Sequence, residues 1–291
     1  KDITVVTNKG KLKRANIAFK TRMEPVDASM PIVILVNGMT ASASEITAGS
    51  LQDLDRAVIM GTRTFGKGLV QMTTKLPYNA NMKVTTAHYY IPSGRCIQAI
   101  NYKHTAGRNS ATQLPDSLTS VFHTKKGREV RDGGGIMPDV EIKPDTIANI
   151  SAYLQRGDST ETMFNYVVDY LSKHKTIAPA SEFTLTDTEY NEFKRLVLKN
   201  KFTYDPGTEK ILAELEKMAK FEKYYEDAKP EFEALKKKLT HDVAKDLELN
   251  KDELKQMIAT DIVTAYYFQA GAVQLGLRYD KQTKEAIKLL Q

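Results

Sequence analysis

The sequence has little of the chemistry that disulfide-bonded and metal-binding proteins use. Its single cysteine, Cys96, cannot form an internal disulfide or a multi-cysteine metal site. The five histidines show no metal-binding spacing such as H-E-x-x-H, so we expect neither a metal nor another cofactor. No apolar run approaches the roughly 18 residues of a membrane span, and no signal peptide is recognisable.

A clustered basic surface is also lacking. Lysine and arginine exceed aspartate and glutamate by only 6, and basic residues are scattered among acidic ones, especially in the C-terminal half. Because nucleic-acid-binding proteins usually carry one strongly basic face, we expect no nucleic-acid partner. The first residue is Lys1 rather than methionine, and we expect the chain to be a piece of a longer or processed protein.

Two regions of different character share the 291 residues, which suffice for one large or two ordinary domains. Residues 1–147 combine short apolar runs with alternating segments, which is typical of an α/β fold. Residues 148–291 carry apolar side chains at helical spacing and predict a mainly helical region. We expect the charged face of residues 217–238 to be solvated, and its packing on a second copy in a homo-oligomer is the alternative.

A strand–helix–strand unit is the clearest prediction. The run Ile32 to Val36 has the composition of a parallel, central strand that is covered on both faces. A helix is predicted from Ser44 to Asp55, and Ala57 to Met60 predicts the next buried strand. Such a βαβ unit should have a right-handed crossover.

Alternating segments surround this unit. Lys1 to Lys20 predicts a hairpin or an edge strand pair, and Leu69 to Leu76 with Met82 to Tyr90 predicts two antiparallel strands that extend the sheet. A turn is expected at Pro77-Tyr78-Asn79, and Gly133-Gly134-Gly135 marks a tight backbone position.

Ser42 lies between the first buried strand and the helix. Backbone N–H groups converge at the start of a helix, so a serine there suits a nucleophile, and the N–H of Ala43 suits the oxyanion of a tetrahedral intermediate. The alternative is structural: Ser42-Ala43-Ser44-Glu45 matches the capping box S-x-x-E, which needs no chemistry to explain it.

Lys67 makes the catalytic interpretation stronger. It lies between Gly66 and Gly68 in an apolar segment, and burial lowers the pKa of a lysine toward the value that a general base needs. Gln71 could orient this lysine through a hydrogen bond, although a surface amide on a strand is an equal alternative.

Two other motifs are alternatives to a site made of Ser42 and Lys67. Gly61 to Gly68 is one residue short of the phosphate-binding loop G-x-x-x-x-G-K-[ST], but Gly68 has no hydroxyl for magnesium and a strand pattern follows, so we expect no bound nucleotide. A Ser-His-Asp triad would use His88, which we interpret first as a strand residue.

Several blocks in one order resemble the C-terminal-processing, or tail-specific, serine proteases. These blocks are TASASEI (40–46), LQDLDRAVIMG (51–61), TFGKGLVQ (64–71), VTTAHYYIPSGRCIQ (84–98) and GREVRDGGGIMPDVEI (127–142), over about half the chain. Carried over by motif, the resemblance implies Ser42 as nucleophile, Lys67 as general base and Gln71 as the residue that orients the lysine. Met39 and Thr40 depart from the glycine and serine that are common there.

The resemblance implies a crotonase-like, parallel-sheet protease core followed by the helical region. It also implies that the peptide-binding PDZ module and the upstream part of the core lie outside this chain. The expected function is a serine endopeptidase that cleaves proteins near accessible C-termini, in the periplasm or another exported location. The alternative is a non-catalytic protein-binding scaffold, or an inactive fragment of such a protease.

Overall fold

The computed structural model describes residues 1–99, 116–143, 146–156, 161–205, 207–240 and 242–291. The chain forms two compact units, of which the first contains Lys1–Pro144 with Lys281–Gln291 and the second contains Asp145–Asp280. The predicted division at residue 147 assigns residues 281–291 to the helical region, whereas they belong to the first unit. Most of the predicted irregular segment from residue 101 to 120 lies outside the described residues.

The first unit is built mainly of short strands. They are β1 (Thr4–Lys9), β2 (Ile17–Lys20), β3 (Val33–Val36), β4 (Val58–Gly61), β5 (Leu69–Lys75), β6 (Asn81–Tyr90), β7 (Val121–His123), β8 (Glu129–Arg131) and β9 (Val140–Glu141). Two α-helices of this unit are α1 (Ala43–Asp53) and, at the end of the chain, α9 (Lys281–Leu290). The coarse α/β class predicted from the sequence is therefore confirmed.

The predicted βαβ unit is present as β3, α1 and β4. β3 and β4 pair in parallel, with Val33 opposite Val58, and β9 joins the other side of β4. The prediction that the first strand is central is wrong for the described residues, because β3 lies at the edge of the order β3-β4-β9 and Leu35 is 39% exposed. An apolar run indicates burial in general but not which neighbours supply it, and here α9 packs against β3.

A second, antiparallel sheet has the strand order β2-β1-β6-β5. The predicted pairings of β1 with β2 and of β5 with β6 are confirmed, but the latter pair does not extend the parallel sheet. Tyr78 and Asn79 form the predicted turn with φ angles of 60° and 56°. Such left-handed backbone suits a tight hairpin, and Leu76 N–H closes it on Ala80 O at 2.8 Å.

Apolar side chains from both sheets meet α1 in one core. The buried members are Val36, Ala48, Ala57, Ile59, Tyr89, Ile91, Ile97 and Ile136. Full burial of each large aliphatic side chain contributes about 1.5–3 kcal/mol to stability. This core fixes α1, and therefore the residues at its start, relative to β4 and β6.

A buried ion pair holds the other end of α1. Arg95 Nη2 donates to Asp53 Oδ1 and to Gln52 Oε1, each at 2.8 Å, and the Arg95 side chain is 1% exposed. Burial lowers the pKa of Arg95, and the neighbouring Asp53 opposes that effect. Ser93 N–H donates to the second oxygen of Asp53 at 2.9 Å, so the carboxylate is bound on both sides.

The second unit is helical, as predicted. Its helices are α2 (Asn149–Arg156), α3 (Thr162–Lys173), α4 (Asp187–Lys199), α5 (Gly207–Phe221), α6 (Tyr225–Leu239), α7 (Val243–Leu249) and α8 (Lys251–Leu277). The predicted capping box of α4 is confirmed, since Thr186 and Glu189 bond each other reciprocally. The predicted start of α3 falls largely on residues outside the described ranges.

Helical periodicity predicts the core of this unit only in part. Tyr190, Phe193, Leu254 and Ile258 are fully buried, in agreement with their spacing. On α5, however, only Leu212 is buried, while apolar residues of the same stripe are more than half exposed: Ile211, Leu215 and Met218. Across the described ranges, no helix combines the length and apolarity needed to cross a membrane.

Candidate active site

Ser42 has a strained backbone. It directly precedes α1 with φ 59° and ψ −119°, a conformation that non-glycine residues rarely adopt. Such strain costs about 1–3 kcal/mol and persists only where surrounding contacts enforce it. The predicted capping box is present, and its Ser42 N–H donates to Glu45 Oε2 at 2.8 Å.

Glu45 joins the segment of Ser42 to the segment of Lys67. Its fully buried carboxylate accepts the Lys67 N–H on Oε2 at 2.9 Å, the same oxygen that binds the Ser42 N–H. The other oxygen accepts the Gly66 N–H at 2.7 Å and the Thr64 hydroxyl at 2.5 Å. The backbone nitrogens of Ser42 and Lys67 are therefore no farther apart than the sum of their two distances to Oε2.

The segment around Lys67 is fixed from its other side as well. Thr64 N–H donates to Ile136 O at 3.1 Å, and Ile136 N–H donates to the Thr64 hydroxyl oxygen at 2.7 Å. Ala99 N–H donates to Gly66 O at 2.9 Å. Gly66 has φ 87°, and a Cβ atom there would lie 2.3 Å from that of Ala99. This close approach explains the glycine that precedes the lysine.

The predicted tight position at Gly133 to Gly135 belongs to the same arrangement. Gly133 and Gly135 have φ angles of 72° and 74°, and the Gly135 N–H donates to Ile97 O at 2.9 Å. A Cβ atom at Gly135 would lie 2.7 Å from the carbonyl oxygen of Thr64. The prediction of a tight backbone position is therefore confirmed.

The side chain of Lys67 is half-buried. Its Nζ makes no hydrogen bond or ion pair with the residues that the structure describes. Gly68 N–H donates to Gln98 Oε1 at 2.6 Å, and the chain then continues into β5. A phosphate-binding loop is followed by a helix, whereas a strand follows residues 61–68 here.

Ala43 and Gln71 occupy more exposed positions. Ala43 is the first residue of α1, and its N–H therefore has no acceptor within the helix. Gln71 is exposed on β5, directly after an irregularity in the pairing with β6, and no hydrogen bond joins it to Lys67 within the described ranges. The structure thus brings the segments of Ser42 and Lys67 together, whereas Gln71 makes no hydrogen bond to Lys67 within the described ranges.

An open groove is lined by Ala41 and Ser44, which lie on either side of Ser42 in the sequence. It has a volume of about 570 Å³ and is bounded by the end of β3, the loop after it and the first turns of α1. Its lining includes Leu35, Asn37, Met39, Thr40 and Ser44. Both apolar and hydrogen-bonding groups are therefore available next to the serine.

Tyr89 was not predicted as a site residue. Its side chain is 3% exposed, and its buried hydroxyl has no hydrogen-bond partner in the described structure. Burial raises the pKa of Tyr89, Glu45 raises it further, and the Ser42 hydroxyl lowers it. The two hydroxyls therefore influence each other, although no hydrogen bond joins them in the described structure. The burial of Tyr89, and not of its neighbour Tyr90, depends on the register of β6 and could not be predicted from the sequence.

The remaining candidates do not reach this site. His88 is exposed and precedes Tyr89 on β6, so the two side chains point to opposite faces of the sheet. Because Tyr89 is the one near Ser42, a triad that uses His88 is not supported. No group of three potential metal ligands occurs within the described ranges.

Two protein-family models match the chain. Residues 1–106 match "Peptidase family S41", and residues 150–290 match "Probable PDZ-protease, C-terminal helical domain". The two matches correspond to the strand-rich and helical regions that the sequence predicts.

Curated relatives match about half of the chain. A carboxy-terminal-processing protease of Bartonella bacilliformis is 45% identical over 172 residues, which are 55% of this chain and 39% of that protein. A carboxyl-terminal-processing protease of Picosynechococcus is 34% identical over 152 residues, which are 52% of this chain and 28% of that protein. The matched segments thus span well under half the length of these relatives.

A solved structure, the photosystem II D1 C-terminal processing protease, is 28% identical. The match covers 50% of this chain and 29% of that one, with a TM-score of 0.35, which is too low to establish a shared fold.

Proposed function

Because the chain belongs to the C-terminal-processing protease family, we propose that it acts as a serine endopeptidase with Ser42 as nucleophile and Lys67 as general base. The observation that carries this proposal is the shared carboxylate of Glu45. One buried oxygen binds the N–H groups of both residues and holds Ser42 in a strained conformation. Strain of this kind concentrates at active sites.

The proposed reaction has two steps. The neutral amine of Lys67 takes the proton of Ser42 Oγ, which attacks the scissile carbonyl carbon and forms a tetrahedral intermediate. Its collapse breaks the C–N bond, and the leaving amine receives the proton from Lys67. Water then attacks the acyl-enzyme and gives a proton to Lys67. Collapse breaks the ester C–O bond, Ser42 Oγ takes that proton back from Lys67, and the new C-terminal carboxylate is released.

Three further assignments support this mechanism. The N–H of Ala43 faces no intrahelical acceptor and is proposed to bind the oxyanion, where one such donor is typically worth about 10²–10³ in rate. Gln71 is proposed to orient Lys67 once substrate is bound. We further propose protein substrates with accessible C-termini, an exported location and a crotonase-like core, in line with the family.

A fluorophosphonate probe tests the dyad, because it phosphonylates activated serines. We expect labelling of Ser42 in the 291-residue chain at a rate that rises with pH, because a general base acts only in its unprotonated form. Ser42→Ala and Lys67→Ala should abolish labelling, while Lys75→Ala, at the exposed end of β5, should leave it unchanged.

Cleavage then tests the substrate class. Peptides with a free C-terminal carboxylate should be cleaved faster than the same peptides with an amidated C-terminus. Retained labelling and cleavage in Lys67→Ala would overturn the dyad. A wild-type chain that binds such peptides but neither cleaves them nor reacts with the probe would favour the protein-binding scaffold.

A further inference from the structure

The hydroxyl of Tyr89 is a buried polar group without a hydrogen-bond partner in the described structure. Leaving a hydroxyl buried and unpaired is unfavourable, and a phenylalanine would fill the same space without that cost. Tyr89 lies in the core between α1 and β6, and only 3% of its surface is exposed. The position therefore requires an explanation other than packing.

Tyr89 is tied to both halves of the proposed dyad. Its N–H donates to the carbonyl oxygen of Gly68, the residue after Lys67, at 3.0 Å. Its side chain belongs to the same core as Ala48 of α1, and the Ser42 hydroxyl and the Glu45 carboxylate both influence its hydroxyl. Glu45 Oε2 already accepts two backbone N–H groups, whereas Ser42 Oγ accepts one N–H in the capping box and has a second lone pair for another donor.

We propose that Tyr89 is a positioning residue for the nucleophile: after a small side-chain rotation, its O–H donates a hydrogen bond to Ser42 Oγ and directs the serine's own proton toward Lys67. This inference rests on the proposed function. A serine hydroxyl rotates freely, and only one of its rotamers presents the proton to the lysine. A donor held rigidly in the core selects that rotamer without contacting the substrate.

The test compares Tyr89→Phe with Tyr90→Phe in the full chain. Tyr90 is the neighbouring residue on the opposite face of β6, so the second variant is a matched control. Fluorophosphonate labelling of Ser42 is measured from pH 6 to 10 at a series of probe concentrations, which separates the binding constant of the probe from the maximal rate of reaction. Thermal unfolding of each variant is recorded in parallel.

We expect the maximal labelling rate of Tyr89→Phe to fall about tenfold, the effect of one lost hydrogen bond in the transition state. Probe binding and the pH at which the rate rises should stay the same, and the unfolding temperature should not fall. Tyr90→Phe should match the wild type, and 3-fluorotyrosine at position 89, which keeps the hydroxyl, should restore the rate.

Other outcomes would overturn the inference. A wild-type rate in Tyr89→Phe, with Ser42 still labelled in a Lys67-dependent way, would refute the role of Tyr89 and leave the proposed dyad intact. A marked loss of thermal stability in Tyr89→Phe would show that the hydroxyl is structural. If Ser42 of the unmodified chain does not react with the probe, the dyad and this inference both fail.

Discussion

The substitution Glu45→Gln tests whether Glu45 holds the Ser42 and Lys67 segments together or only caps α1. Glu45 accepts four hydrogen bonds, two on each oxygen. An amide keeps one oxygen and replaces the other with an NH₂ group, which cannot accept. Either orientation therefore removes the acceptor from two donors. In the less costly orientation, the NH₂ group replaces Oε1. The Thr64 hydroxyl can then rotate to accept a hydrogen bond from the NH₂ group, but the Gly66 N–H is left without an acceptor.

The size of the effect follows from these contacts. A hydrogen bond to a charged group contributes about 1.5–3 kcal/mol, and a buried N–H left without an acceptor costs about 1–3 kcal/mol. Because Thr64 can adapt, the two contributions do not add in full, and we expect Glu45→Gln to destabilise the local structure by about 2–4 kcal/mol.

Glu189→Gln is the matched control. Glu189 holds the same position in the capping box of α4, and its hydrogen bonds from Thr186 both end on Oε2. An amide can keep its oxygen at that place, so we expect a loss near the low end of capping effects, about 0.5 kcal/mol.

Hydrogen exchange measured by mass spectrometry reports the result locally. The amides of Ser42, Gly66 and Lys67 should exchange roughly 30- to 1,000-fold faster in Glu45→Gln. Peptides that contain Thr186 should change little in the control. Equal, small changes in the two variants would refute the view that Glu45 does more than cap a helix.

Further predictions concern strain, the buried ion pair and acid stability. Ser42→Gly should be more stable than Ser42→Ala by about 1 kcal/mol in urea unfolding, since glycine adopts φ 59° without strain, and the reverse order would contradict the strain. Asp53→Asn leaves the buried charge of Arg95 unpaired and should cost about 3–5 kcal/mol in the same assay, and a loss far below this would show that solvent reaches the arginine. Burial alone raises the pKa of Asp55, but hydrogen bonds from Arg128 and a backbone N–H lower it overall. A lowered folded-state pKa adds stability above the unfolded value of 3.8, and this is lost as the pH falls through the folded value. The stability difference between wild type and Asp55→Asn should therefore be present at neutral pH and vanish in acid, and a constant difference would exclude this linkage.

The pairing of Ser42 with Lys67 could be predicted from the sequence for a simple geometric reason. The two residues follow β3 and β4, and the carboxyl ends of neighbouring parallel strands lie at one edge of a sheet, where ligands commonly bind. Hydrophobic pattern was enough to identify those strands and the helix between them. Apolar runs were less informative about neighbours, so the edge position of β3 and the return of α9 to it were not predicted.

The roles of Glu45 and Tyr89 in the site could not be predicted from the sequence pattern. Within S-x-x-E, the carboxylate of Glu45 has a complete local explanation as a helix cap, and nothing nearby indicates that it also binds residues 64 to 67. Tyr89 is one of two adjacent tyrosines, and which of them faces α1 depends on the register of β6 against β1 and β5. Such facts are set by tertiary pairing over long sequence separations.

The hydrogen bonds that the Glu45 carboxylate accepts from both segments have a consequence for a newly synthesised chain that is still folding. Ser42 keeps its strained backbone only while residues 64 to 67 are docked on the same carboxylate. An incompletely folded chain lacks these contacts, so nothing holds the Ser42 and Lys67 segments together. Under the function proposed above, peptidase activity would appear only once the fold is complete, without the need for a separate inhibitor of the nascent chain.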